Sequence, residues 1–239
     1  MDNIKNELNF TGEYFIPGKS SERIEADHIE RYRFACRYAK EKAVLDIACG
    51  VGYSGHMFIE AGAFSYDGVD INEKLIDYAN KTYRLDSTNY FIEDITSFNN
   101  NKLYDLITCY ETIEHIKNYE TAIKNLYSLL KAGGILLISS PNRIITSPNC
   151  KTLTDKPSNK FHMQEFVPEE LISVLAKYGF SAGKDNLYGQ RQREKVYRNR
   201  YYRKIINTLF GNPDIKTSPE VKQVTDKLPR YFVIIATKN

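Results

Sequence analysis

Five short apolar runs recur between residues 43 and 140, and polar or helix-patterned stretches separate them. Ala43–Ala48, Ser65–Asp70, Asn89–Ile92, Tyr104–Cys109 and Ile135–Ser140 read as strands. Residues 54–61, Glu73–Leu85 and Tyr119–Lys131 carry helical spacing. Successive parallel strands need a crossover of a dozen or more residues, usually a helix. Strands alternating with helices at this spacing therefore lead to a mostly parallel α/β sheet with helices on both faces.

The flanks are less regular. Ser20 or Ser21 can cap a helix over 21–41, preceded by a polar, turn-rich segment with Pro17-Gly18. We expect residues 1–42 to form an N-terminal segment with a capping helix, and 43–239 one domain with an insertion at about 190–229. After Pro141 comes a long loop to residue 165, then a helix from Pro168 to Tyr178, a candidate strand over Phe180–Tyr188, and a final strand over Tyr231–Ala236. The 239 residues suit one α/β domain, and 42% hydrophobic content allows a full core. A net charge of +3 does not by itself point to nucleic acid or a membrane, so any basic surface must be local. Cys36, Cys49, Cys109 and Cys150 form no CxxC pair and read as free thiols of a reducing compartment. No apolar run approaches a membrane span, so a cytoplasmic location is expected.

The strongest local signal is Val44–Gly55. A strand carrying Asp46 runs into Cys49-Gly50-Val51-Gly52-Tyr53-Ser54-Gly55 and then a helix. Glycines let the backbone approach a ligand, and the helix N-terminus offers unpaired N–H groups to an anion. Asp70 ends the next strand, 20 residues after Gly50, where an acid can accept ribose hydroxyls. Gly50-x-Gly52-x-x-Gly55 alone would also suit a dinucleotide. Asp46, which can brace the loop or reach an amine, Asp94 after the third strand, and Cys109-Tyr110-Glu111 after the fourth favour S-adenosylmethionine.

Taken together, "VLDIACGVG", "YDGVDIN", "FIEDI", "YDLITCYETIEHI" and "GGILLISSPN" resemble the class I S-adenosylmethionine-dependent methyltransferases over about residues 43–140. The resemblance implies a Rossmann-like seven-stranded sheet whose last strand is antiparallel. It implies that Asp46, Gly50 and Gly52 line the methionine end, with Ala48 where the family often has its first glycine. Asp70 and Ile71 would hold ribose and adenine, Asp94 the adenine amine, and Tyr110 would flank the sulfonium. "FTGEYFIPG" and His28-x-x-Arg31-Tyr32 look like the opening of glycan-associated members, where this segment could close over the cofactor. Tyr32 would then be a cofactor neighbour; otherwise it packs in the core.

Glu111-x-x-Glu114-His115 bears on the acceptor. In a helical turn these positions share one face, and His162 on the loop after the fifth strand could join them. Glu111, Glu114, His115 and His162 could bind a divalent cation such as Mg2+. Alternatively, His115 is a metal-free general base with Glu111 shaping the pocket, or a structural histidine. The motif resembles both small-RNA 2′-O-methyltransferases and ubiquinone-pathway O-methyltransferases. The basic stretch from Arg191 to Lys204, interleaved with Tyr197, Tyr201 and Tyr202, could meet RNA, a nucleotide-sugar diphosphate or a phospholipid headgroup, or be a solvated helical face. The expected activity is O-methylation of a sugar hydroxyl on a glycan or nucleotide-linked sugar, with metal-dependent RNA 2′-O-methylation or a quinone-type small-molecule acceptor as alternatives.

Overall fold

The computed structural model describes residues 15–195, 199–210 and 217–239. Strand β1 (Ala43–Ile47) is buried along its whole length, as a strand covered on both faces must be. It pairs in parallel with β2 (Ser65–Asp70) and β4 (Tyr104–Cys109). β3 (Thr88–Ile92) extends the sheet beyond β2, and β5 (Leu130–Pro141) extends it beyond β4. β9 (Tyr231–Lys238) then runs antiparallel between β5 and β7 (Leu187–Gln190). The main path is β3-β2-β1-β4-β5-β9-β7-β8, with β8 being Lys222–Gln223 and β6 (Phe180–Ser181) pairing on β9.

Alternation along the strands builds two cores. Leu45, Ile107 and Leu136 face one side, where α4 (Tyr119–Leu129) and α6 (Pro168–Lys177) pack with Phe166. Val44, Leu106 and Leu137 face the other, against α1 (Glu22–Cys36), α2 (Ser54–Glu60) and α3 (Glu73–Thr82). Ser21 caps α1 through its side chain, and Asn72 does the same for α3. α5 (Arg143–Thr146) and α7 (Arg200–Phe210) complete the helices described. None of the described helices is long and apolar enough to cross a membrane.

The mostly parallel Rossmann-like sheet and its antiparallel last strand stand as expected, but the sheet has nine strands rather than seven. The extra two, β6 and β8, hold two residues each, and backbone pairing with a neighbour is all that defines them. The single strand expected over Phe180–Tyr188 splits into β6 and β7 because polar Lys184–Asn186 form a 3-10 turn. The first helix stops at Cys36, not residue 41. The loop after β5 is firmly tied down. Arg143, 4% exposed, donates to the Glu165 carbonyl at 2.7 Å and to both Glu170 carboxylate oxygens at 2.8 and 2.6 Å. The sequence segment 10–14 of the "FTGEYFIPG" opening lies outside the described residues, as do Tyr197 and Arg198.

Candidate active site

The carboxyl ends of the parallel strands open onto one crevice, the usual ligand position in such sheets. The loop leaving β1 alternates left-handed residues, with φ 56° at Ala48, 58° at Gly50 and 80° at Gly52. Ala48 thus holds a conformation that favours glycine, which accounts for glycine being frequent at its counterpart. The Gly50 N–H donates to Asp70 Oδ2 at 3.0 Å, and the Asn72 N–H donates to Oδ1 at 2.9 Å. The Ile71 N–H adds a third bond to the same carboxylate, which still leaves lone-pair capacity for a ligand. Burial pushes the Asp70 carboxyl up, and the backbone N–H groups oppose this. A cleft of ≈ 370 Å³, counting its open mouth, is lined by Ala48, Asp70, Ile71, Asp94, Ile95 and Thr112 among others. Asp94 accepts both the N–H and the hydroxyl of Thr96 on Oδ1 alone, leaving Oδ2 for a ligand. The donor set therefore fits a nucleoside whose ribose meets Asp70 and whose base lies near Asp94.

Asp46 is fully buried and accepts from four hydroxyls. Ser54 and Thr108 donate at 2.6 Å each, and Tyr66 and Tyr32 at 3.0 Å. Of its two expected roles, bracing the loop is the one this geometry fills. Tyr32 faces the core, ties α1 to β1 through Asp46 and meets the loop at Tyr53. Burial pushes the Asp46 carboxyl up to about 6, against the pull of Ser54, Thr108, Tyr32 and Tyr66. A raised folded-state value gives stability that is present in full below the ordinary value of 3.8 and lost as pH rises through about 6. Asp46→Asn should remove that slope, about 3 kcal/mol for about two units at 1.36 kcal/mol each. Urea unfolding of both proteins from pH 4 to 7 measures it, and parallel curves would refute the assignment.

Beyond β4 the chain turns sharply. Glu111 has φ 48° and precedes a 3-10 turn over Ile113–His115. The expected single helical face is therefore broken. Glu111 turns to Ser139, whose hydroxyl donates to its carboxylate at 2.7 Å and accepts its N–H at 2.9 Å. Glu114, His115 and His162 do converge, with potential ligand atoms all within 4.8 Å of one another, and Glu111 stands outside this group. The His115 and His162 rings meet edge-on at 4.8 Å. His115 Nδ1 sits 3.1 Å from the Phe161 carbonyl, and His162 Nδ1 sits 2.7 Å from Glu165 Oε1. Both acceptors require N–H at Nδ1, so the lone pair of each neutral ring is at Nε2. The Asn159 amide donates to His162 Nε2 at 2.9 Å. Burial pushes the Glu165 carboxyl up, but hydrogen bonds from His162 and Thr146 outweigh it and hold the group below its ordinary value. Glu114 is 1% exposed, and burial, then the charges of Glu111 and Glu165, push its carboxyl well upward. Its Oε2 is buried with no hydrogen-bond partner.

Between loop and cluster stands an aromatic wall. Tyr32 meets Tyr53 at 5.3 Å and Tyr110 at 5.4 Å, both edge-on. The hydroxyls of Tyr53 and Tyr110 and the Ser140 hydroxyl are buried without hydrogen-bond partners. Buried polar atoms rarely stay unpaired, so these oxygens have capacity for a water or a polar ligand. Arg31, 2% exposed, donates to Gln190 Oε1 at 2.7 Å.

A family profile described as a methyltransferase domain matches residues 23–182 of the chain. The chain belongs to that methyltransferase family. It is 28% identical over 180 residues to a Mycolicibacterium smegmatis protein named "Probable S-adenosylmethionine-dependent methyltransferase", covering 74% of this chain and 67% of that one. It is 37% identical over 107 residues to the ubiquinone biosynthesis O-methyltransferase of Coxiella burnetii, covering 44% of this chain and only 45% of that enzyme. The N-methyltransferase NodS of Bradyrhizobium japonicum, solved with S-adenosyl-L-homocysteine, superposes with a TM-score of 0.62 at 15% identity, covering 99% of this chain and 96% of that one. That last likeness shows the fold alone. The chain is an S-adenosylmethionine-dependent methyltransferase.

Several residues of this methyltransferase site escape sequence reasoning. Thr108 lies opposite Asp46 in the β1–β4 register, which only strand pairing reveals. Tyr66, Ser54 and Arg31 sit inside quoted stretches that say nothing of the partners they bond, and Asn159 lies in none of them. The basic stretch also divides. Arg191 and Arg193 are 5% and 6% exposed and lie before α7, so neither belongs to a solvated helical face.

Proposed function

We propose that this methyltransferase methylates a sugar hydroxyl on a glycan or nucleotide-linked precursor, with His115 as the group that takes the proton. The observation that carries this reading is the fixing of His115 Nδ1 on the Phe161 carbonyl, which puts the ring's proton-accepting lone pair on Nε2, in a turn whose Thr112 and Ile116 line the cleft. S-adenosylmethionine supplies the sulfonium methyl carbon, to which the acceptor oxygen bonds as the carbon–sulfur bond breaks and sulfur keeps the electron pair. A hydroxyl is a poor nucleophile until it sheds its proton, so a positioned base matters. Amines need less help. Asp70, Ile71 and Asp94 are assigned to the nucleoside, Gly50 and Gly52 to close backbone approach, and Tyr110 to the sulfonium end. α1 is assigned to covering this end of the cleft. The O-methyltransferase name of the Coxiella burnetii relative agrees with oxygen as acceptor. Phe161 and Met163, 43% and 51% exposed beside His162, offer an apolar rim for a sugar-ring face.

One observation favours a second reading of the same cluster. Each histidine has its Nδ1 anchored by an acceptor, the arrangement that orients metal-ligating imidazoles, and Glu114 Oε2 lacks a partner. Glu114, His115 and, once the Asn159 amide turns away from its Nε2, His162 would hold a divalent cation such as Mg2+, which when bound would lower the pKa of an acceptor hydroxyl. An RNA ribose or a quinol-type phenol would then become an acceptor too.

Radiolabelled methyl transfer to matched pools of nucleotide sugars, glycans, quinol analogues and RNA 3′ ends, with and without chelator, separates these readings. Label in the sugar pools that survives chelation is the expected result. Label confined to RNA and abolished by chelation would overturn the sugar assignment and make Glu114, His115 and His162 metal ligands.

A further inference from the structure

The methyltransferase reading leaves α7 unused. This helix spans Arg200–Phe210, and Tyr201, Ile205 and Leu209 are 81%, 55% and 66% exposed along it. At 3.6 residues per turn these three, with Tyr202, fall within an arc of about 100°. The helix therefore turns an apolar stripe to solvent, which a globular protein does not do without a use for it. Its charged residues are Arg200, Arg203 and Lys204, with no Asp or Glu in its sequence. Exposed Lys204 falls outside the apolar arc.

We propose that α7 docks on an anionic lipid surface, its apolar stripe sunk at the headgroup boundary and Lys204 meeting lipid phosphates. A basic amphipathic helix with aromatic and leucine residues on one face has the composition of an interfacial anchor. A second copy of the chain is a worse occupant. Self-pairing would set two all-basic helices against each other, and a helix of about 16 Å offers little of the about 800 Å² per partner that a stable interface needs.

The root of α7 fits this role. Gln190, at the end of β7, is level with Pro141, at the end of β5, because both pair with Tyr231. The insertion thus leaves from the end of the sheet that carries the site. It is anchored there by Arg191, which donates to Asp27 Oδ1 at 2.7 Å, and by Arg193 and Leu228, whose backbones exchange hydrogen bonds at 2.8 and 2.7 Å. A membrane under α7 would lie near the mouth of the acceptor site, within reach of a lipid-linked acceptor.

Sedimentation of the full chain with phosphatidylcholine vesicles, with and without phosphatidylglycerol, tests this at low and high salt. The expected result is binding to the anionic vesicles, at least about tenfold weaker on neutral ones and weakened by salt. Ile205→Asp/Leu209→Asp, both at exposed positions, should abolish binding with the unfolding temperature unchanged. Lys204→Glu should weaken binding chiefly at low salt. Equal binding by wild type and the double variant, or indifference to lipid charge, would overturn the proposal. So would failure to bind vesicles by a wild-type dimer that the double variant turns into a monomer in light scattering.

Discussion

Replacing His115 with alanine should lower methyl transfer by about 10²–10⁴-fold while leaving cofactor affinity within about threefold. The split follows from position. His115 lies past β4 against Phe161 and His162, whereas the cleft proposed for the cofactor is lined by Ala48, Asp70, Ile71 and Asp94. Calorimetric titration with S-adenosylhomocysteine reports the second quantity, and single-turnover methyl transfer the first. Turnover unchanged in His115→Ala would remove His115 as base or ligand and leave it a structural residue. His162→Ala separates the two uses of the cluster. A proton-accepting His115 loses only a packing neighbour, so the effect is modest, whereas a metal site loses a ligand and activity falls as far as in His115→Ala.

The second large effect comes from Gly52. A Cβ there would stand 2.6 Å from both the Ala79 Cβ and the Tyr90 ring, at a φ of +80°. Left-handed strain and overpacking add, so Gly52→Ala should cost about 3 kcal/mol or more of stability. Gly50 shares the left-handed backbone, at φ +58°, yet a Cβ there meets nothing within 4 Å. Gly50→Ala should therefore cost only about 1 kcal/mol of stability. Its added methyl would occupy space on the ligand side of the loop, so cofactor affinity should fall by about tenfold or more, near 1.4 kcal/mol. Urea unfolding and calorimetric titration of the two variants give four numbers. Gly50→Ala binding the cofactor at full strength would mean that the methionine end lies elsewhere.

The contrast between these two glycines shows where reading a sequence reaches its limit. Both glycines stand in one motif, and their left-handed need is legible from it. That one packs against α3 and the other faces open space depends on how β3 and α3 dock. The strands β1, β2 and β4 are legible because buried parallel strands are nearly continuous apolar runs. Asp70 is legible because it ends such a run. Glu111 departs from the helical face its spacing suggests because its φ is 48°. No local signal distinguishes that turn from the first turn of a helix. His162 was drawn to His115 by the topology of loops at one sheet edge, and the rings do meet. Its partners Glu165 and Asn159 became visible only once the loop was seen folded back, held by Arg143. Arg191 read as part of a basic run because sequence does not show Asp27 waiting 2.7 Å away.

The placement of β9 has a kinetic consequence. β9 lies inside the sheet, yet Tyr231 follows its partner Pro141 by 90 positions of chain. Until it arrives, β5 is a bare edge whose apolar residues Leu136, Leu137 and Ile138 are otherwise buried. Closing so long a loop is entropically slow, and pairings this distant in sequence place a fold among the slower ones. During that interval the β5 edge can template pairing with another chain. Refolding yield should thus be set by the race between β9 and a neighbouring molecule, and it should fall as protein concentration rises.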